Sequence, residues 1–109
     1  MVERFPLDGV FHALAHEARR DMLERLTTQD LTIGALAEPL PMSFAAASKH
    51  VIVLERANLI DRTVDGRQHR CRLRADALEP ADAWLRRYER YWTSRLDALE
   101  DLIARPGDR

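Results

Sequence analysis

The sequence contains one cysteine and no long apolar run. Cys71 has no second cysteine for an internal disulfide, and a lone thiol is typical of a reducing compartment. No window approaches the roughly 18 apolar residues that span a bilayer. The first ten residues include Glu3, Arg4, Pro6 and Asp8, and so lack the apolar stretch of a signal peptide. These absences predict a cytoplasmic protein with no membrane segment.

The sequence also lacks the motifs of the common enzyme classes. It has no glycine-rich phosphate loop, no nucleophile motif and no internal repeat. Its four histidines (His12, His16, His50 and His69) and Cys71 are scattered over four predicted elements. They therefore do not form a local set of the about four nitrogen or sulfur ligands that zinc prefers, and a site assembled across elements is the alternative. We expect no catalytic residues, no cofactor and no metal site.

What remains is a chain of ordinary composition with unevenly distributed charge. Its 109 residues, 46% hydrophobic and 32% charged, are typical of one folded domain, which we predict over residues 1–109. The net charge is −1, yet residues 43–74 hold seven basic residues against three acidic ones, a local charge of +4. The remainder holds ten against fifteen, or −5. A basic middle third indicates a local anion-binding surface.

Apolar spacing predicts four helices in the first half of the chain. Residues 10–15 form a short first helix and residues 17–26 a second. Thr32 is a suitable N-cap for a short third helix. Ser43 is the predicted N-cap of the fourth, about residues 43–57, whose inward stripe is Ala47, Val51, Leu54 and Ala57.

After the fourth helix the apolar period changes from 3.6 to 2. Two alternating stretches within residues 60–74 flank Asp65-Gly66. This dipeptide predicts a β-hairpin, because it favours positive φ at both central positions of a two-residue loop. The alternation places His69 and Cys71 on the inner side of the second strand.

A long amphipathic helix is predicted for about residues 80–104. Pro80 can open it, and large apolar residues follow at helical spacing. Left in water, this stripe would be a large apolar patch, so we expect it to form a homodimer interface. The predicted interface residues are Phe11, Leu14, Trp84, Tyr88, Trp92, Leu96 and Leu99. An effector pocket lined by the aromatic residues is the alternative.

The order of these elements, α-α-α-α-β-β-α with about five helices, predicts a mainly α winged helix-turn-helix protein with a small β-hairpin. The fourth helix would enter the major groove of duplex DNA, with the hairpin as the wing beside it. The predicted DNA-binding residues are Ser43, Phe44, Ala45, Ser48, Lys49, His50, Arg62, Arg67, Gln68 and Arg70. Two alternatives stay open: a solvated helix beside a basic edge strand, and a winged-helix protein-interaction module that does not bind DNA.

Several segments resemble the ArsR-type winged-helix repressors. They are residues 14–20 (LAHEARR), 36–38 (LAE), 42–51 (MSFAAASKHV), 54–55 (LE), 58–60 (NLI) and 65–67 (DGR). The resemblance, which covers nearly the whole chain, implies a homodimer formed by the first and last helices. It also implies that two recognition helices bind a pseudopalindromic operator in double-stranded DNA. Family members typically repress a promoter and leave it when an effector binds, so the resemblance also implies release by an effector.

The sequence departs from this family in two places. Members often carry a polar run such as Gln-Pro-Thr after the cap, whereas here Phe44-Ala45-Ala46 follows. We expect these side chains to touch thymine methyl groups, with DNA shape supplying further specificity. The metal-sensing branch usually carries a cysteine pair on the third helix or an acid-and-histidine set on the last. Residues 33–38 contain neither Cys nor His, and no His follows Pro80. The resemblance is therefore to a branch without metal-ligand motifs.

Overall fold

The computed structural model describes residues 4–104, so the two ends of the predicted domain, residues 1–3 and 105–109, lie outside it. In chain order the elements are α1 (Arg4–Leu14), α2 (Glu17–Leu26), β1 (Leu31–Thr32), α3 (Ile33–Ala37), α4 (Phe44–Arg56), β2 (Ile60–Asp65), β3 (Gln68–Leu73), a 3₁₀ turn (Ala75–Leu78), α5 (Glu79–Arg86) and α6 (Glu89–Ala104). This order confirms the predicted winged helix-turn-helix class. None of the described helices combines the length and apolarity needed to cross a bilayer.

The helices α2, α3 and α4 pack with the sheet around one apolar core. Met22 on α2, Leu36 on α3 and Cys71 on β3 are all fully buried in it. Helix α4 contributes the predicted residues Ala47, Val51 and Leu54, each fully buried, while Ala57 is partly buried against them. Because this stripe faces inward, the opposite face of α4 is left to solvent.

Side-chain caps fix where α3 and α4 begin. The Thr32 hydroxyl oxygen accepts from the backbone N–H of Ala35 at 3.1 Å, and the Ser43 hydroxyl oxygen accepts from that of Ala46 at 3.1 Å. Each bond satisfies one of the backbone donors that a helix leaves free in its first turn. Both predicted N-caps are confirmed. Five residues outside any helix, 38–42, separate the end of α3 from Ser43, the cap of α4.

The sheet has three antiparallel strands in the order β1-β3-β2. The two-residue strand β1 was not predicted. The predicted hairpin is present, but its loop is shifted by one residue, because Asp65 pairs with Gln68 and leaves Gly66-Arg67 as the loop. Gly66 has a φ of 65°, and the only non-glycine residue with positive φ in the described chain is Asn58. Positive φ at the first loop position alone is the type II′ pattern, so the prediction of Asp65-Gly66 as the loop pair is wrong.

The predicted single helix over residues 80–104 is interrupted. Helices α5 and α6 are separated by Arg87 and Tyr88, whose backbone N–H groups donate to Trp84 and Leu85, three residues back, at 3.2 and 3.0 Å. The described chain therefore has six α-helices instead of about five. Helix α5 packs on α1, where the rings of Phe11 and Trp84 meet edge to face at 5.6 Å. Every residue of α6 is exposed.

Candidate nucleic-acid interface

The outward face of α4 begins with an apolar tip followed by polar residues. Phe44 is 56% exposed, and Ala45 and Lys49 are also exposed, whereas Ser48 is half-buried. Ser43 uses its hydroxyl oxygen as the helix cap, but the hydroxyl hydrogen remains free to donate to a phosphate. The first turns of α4 therefore offer an apolar surface, hydroxyl donors and one cation on a single face.

The wing brings further predicted residues to the start of this helix. Arg67 lies in the hairpin loop, and Gln68 and Arg70 are exposed on β3. A shallow cleft of about 260 Å³ separates the wing tip from the helices; it is lined by Thr32, Ile33, Gly34, Phe44, Arg67, Gln68 and His69. The first residue of α4 and the tip of the wing thus share one cleft, although they are distant in sequence.

Arg62 does not lie on that surface. Its guanidinium donates to Glu55 Oε1 at 2.7 Å and to His69 Nδ1 at 3.2 Å, and its side chain is only 18% exposed. The predicted DNA contact by Arg62 is therefore replaced by contacts inside the protein. The sequence held a signal for this, because side chains alternate along a strand and Arg62 therefore faces the same side of the sheet as Ile60. In the structure Ile60 is buried, and Arg62 pairs with the buried Cys71.

His50 is also turned away from the outward face of α4. Its Nδ1 lies 3.1 Å from the Arg19 guanidinium, and its ring lies 4.3 Å from the ring of His16, at the start of α2. Burial, and then the neighbouring charges of His16 and Arg19, lower the pKa of His50 below its ordinary value. A neutral imidazole leaves Nδ1 able to accept from Arg19, so the His50 ring faces α2 and not the outward face of α4, where the predicted DNA contact would need it.

Arg19 is a structural residue that the sequence analysis missed. It is 8% exposed, and it donates to the backbone carbonyls of Ala13 at 2.7 Å and His12 at 3.0 Å. Through its contact with His50, this one guanidinium links the end of α1 to α4. An arginine on the helix face shared by Ala18 and Met22 was the available signal, because such a buried cation needs internal partners.

The predicted interface residues fall into two groups. Phe11 and Leu14 are half-buried within the chain. The others are exposed side chains of α5, α6 and the break between them, namely Trp84 (36%), Tyr88 (46%), Trp92 (53%), Leu96 (56%) and Leu99 (52%). The structure therefore places the apolar stripe of α6 where nothing in the described chain covers it.

The described residues contain no group of three or more His, Cys, Asp or Glu side chains placed to hold a metal ion. Cys71 is buried beneath the wing, and burial raises the pKa of its thiol, an effect that the nearby Arg62 partly offsets. A raised pKa disfavours the thiolate, which is the form that binds metals and reacts with oxidants. Cys71 therefore serves as a small core residue.

The chain is similar to known proteins in both sequence and fold. A helix-turn-helix domain family matches residues 14–63. The chain is similar to the HTH-type transcriptional regulator Rv2034 of Mycobacterium tuberculosis, with 38% identity over 104 residues, 93% of this chain and 92% of that protein. It is also similar to the crystal structure of the ArsR family transcriptional regulator RHA00566, with a TM-score of 0.74 and 32% identity over 81% of this chain and 97% of that one.

A second solved structure, an ArsR-like transcriptional regulator from Rhodococcus sp. RHA1, has a TM-score of 0.70 and 30% identity over 94% of this chain and 96% of that one. All three of these relatives are named as regulators of transcription. The three similarities cover 81 to 94% of this chain. The chain therefore belongs to the ArsR family of winged helix-turn-helix transcriptional regulators.

Proposed function

We propose that the protein is a homodimeric repressor that binds a pseudopalindromic operator in double-stranded DNA and is released by a small-molecule effector. The observation that carries the proposal of DNA binding is the cleft shared by Phe44 at the start of α4 and Arg67 at the wing tip. Both lie in the basic third of the chain. The proposed contacts are Ser43, Phe44, Ala45, Ser48, Lys49, Arg67, Gln68 and Arg70.

These residues divide by the part of DNA that they suit. Phe44 and Ala45 offer apolar surface to thymine methyl groups, which a helix meets in the major groove. Lys49 lies one turn further along the same exposed face, within reach of a guanine edge or a phosphate. Arg67 projects from the hairpin loop, where a wing meets the DNA backbone or the adjacent minor groove first. In this arrangement α4 reads sequence and the wing adds affinity.

The exposure of every residue of α6 supports the homodimer part of the proposal. Its 16 residues form a helix about 24 Å long, and its stripe of Trp92, Leu96, Leu99 and Ile103 recurs on one face. The same stripe on a second chain is self-complementary, as a two-fold interface requires. A dimer formed in this way presents two α4 helices, which matches the symmetry of a pseudopalindromic site.

The test starts by selecting bound fragments from a genomic DNA pool and then titrates variants on the selected duplex and on random DNA at several salt concentrations. We expect Arg67→Ala to weaken both duplexes by similar factors and to lower the salt slope by about one unit. If Lys49 pairs with a guanine edge, Lys49→Ala should cost about 1 to 3 kcal/mol more on the selected duplex than on random DNA; if it binds a phosphate, both duplexes should weaken alike. Arg90→Ala on α6 removes the same charge as Arg67→Ala away from this surface and serves as the control.

Unchanged affinity and salt slope in both variants would instead favour the winged-helix protein-interaction module. A reporter gene placed behind the selected fragment tests the direction of regulation. Expression of the protein should lower the reporter signal if it represses, and a rise would refute repression while leaving DNA binding intact. Effector release is tested by screening compounds for those that restore the reporter signal.

A further inference from the structure

One largely buried arginine joins the wing to the recognition helix. Arg62, in β2, donates through Nη2 to Glu55 Oε1 in the last turn of α4 at 2.7 Å. Through Nη1 it donates to His69 Nδ1 in β3 at 3.2 Å. One guanidinium therefore contacts the helix and both strands of the hairpin. We call these three residues, Glu55, Arg62 and His69, the wing bracket.

The outer half of the hairpin has little else to hold it. Strand β1 pairs with β3 at Cys71 and Arg70 alone, so within residues 4–104 the hairpin extends beyond the one strand beside it. Residues 63–68 are all exposed, and the next residue, His69, is half-buried. A two-stranded hairpin without further packing is marginally stable in water. The bracket contact to His69 is thus placed where the hairpin would otherwise be free to pivot.

Placing the Arg62 guanidinium here costs free energy unless both Glu55 and His69 accept its hydrogen bonds. Its Nε is buried and has no hydrogen-bond partner among the described residues, so Glu55 and His69 are the groups that compensate this largely buried cation. Hydrogen bonds that involve a charged donor and a carboxylate are shorter and stronger than neutral ones. Removing either end of the bracket therefore leaves a poorly compensated charge beneath the wing.

We propose that Arg62 is a positioning residue, which through Glu55 and His69 fixes the wing relative to α4 and thereby places Arg67 for its contact with DNA. The effect on DNA rests on the function proposed above. The effect on the wing does not, because it concerns the free protein. A residue predicted from the sequence to touch DNA thus acts on the DNA-binding surface from within.

The first test measures the wing without DNA, by backbone ¹⁵N relaxation of the full chain. In the unchanged protein, amides of residues 64–69 should have order parameters near the rigid value of about 0.85, and in Arg62→Gln and Glu55→Gln they should fall toward about 0.6. Arg62→Lys, which keeps the charge near Glu55, should restore part of the order. Arg72→Gln is the matched control, because Arg72 lies on the same hairpin but on the opposite face of the sheet from Arg62.

Amides of α4 serve as the internal reference in every variant. Wing amides that stay rigid in both Arg62→Gln and Glu55→Gln would overturn the proposal. Loss of order in α4 equal to that in the wing would also overturn it, because the bracket would then support the fold in general. Loosening confined to the wing, produced from either the strand or the helix side, supports it.

The second test measures whether the wing contact depends on the bracket. Arg67→Ala should lower the salt slope of DNA binding by about one unit in the otherwise unchanged protein, and by much less in the Arg62→Gln background. An equal decrease in both backgrounds would overturn the positioning role. If Arg67→Ala has no effect in either background, the proposed contact between the wing and phosphate is wrong. The order parameters of the wing still decide the role of Arg62 in that case.

Discussion

The exposed stripe of α6 allows a sharp test of the proposed dimer by truncation of Leu96. Leu96 lies near the middle of the helix and is 56% exposed, and every residue around it on α6 is also exposed. Leu96→Ala therefore opens no cavity in the core of the chain. Its effect should fall on association and leave the fold of each chain largely unchanged.

The exposed fraction of Leu96 sets the expected loss of dimer affinity in Leu96→Ala. Full burial of a leucine side chain contributes about 1.5 to 3 kcal/mol, so the half of Leu96 still exposed can contribute roughly 0.8 to 1.7 kcal/mol when a second chain covers it. A two-fold interface contains the residue twice, which gives about 2 to 3 kcal/mol per dimer. The dimer Kd should therefore rise by roughly 30- to 150-fold.

Sedimentation equilibrium over a dilution series from micromolar to nanomolar concentration measures this shift. The unchanged protein should sediment at twice the chain mass of 12.6 kDa in the concentrated samples. Arg90→Ala truncates an exposed side chain on the opposite face of α6 and should leave the Kd unchanged. The reasoning is refuted by a monomer at all concentrations, or by a Leu96→Ala variant whose Kd equals that of Arg90→Ala.

Three further predictions concern stability and metal dependence. Ser43→Ala removes the cap on the Ala46 N–H and should lower the free energy of unfolding in urea by about 0.5 to 2 kcal/mol; an unchanged midpoint would contradict the role of the cap. Because the pKa of His50 is lowered in the folded chain, the unfolded chain takes up the proton first as the pH falls below the ordinary value of 6.5. Stability present above that pH should therefore be lost on acidification, and less steeply in His50→Gln, as urea titrations across this range would show; equal pH dependence would refute the prediction. Added zinc or chelators should leave DNA binding unchanged, and metal analysis that finds one tightly held transition metal per chain would disprove this.

The elements that were predictable from the sequence are those with local signals. Thr32 and Ser43 cap helices through bonds to N–H groups three residues away, so a short window contains both partners. The buried stripe of α4 follows from the helical period, and the hairpin follows from a change of period next to a glycine. These signals need no knowledge of the rest of the chain.

The features that sequence analysis missed depend on distant partners or weak local signals. His50 meets Arg19 across 31 positions of sequence, and no local pattern reveals which way its ring turns. Strand β1 has only two residues, too few to show an alternating pattern. The break between α5 and α6 contains neither proline nor glycine, only Arg87 and Tyr88, so the helical period continues across it.

The break at Arg87 and Tyr88 separates α5, which packs on α1, from α6, which is exposed along its whole length. On one side, Trp84 of α5 is held against Phe11 of α1. On the other, α6 extends from the body with every residue exposed. In a dimer joined through α6, the angle at these two residues sets the distance between the two α4 helices. In the proposed operator complex, substitutions there would change which half-site spacing is preferred without changing the bases read in each half-site, so these two components of recognition can evolve separately.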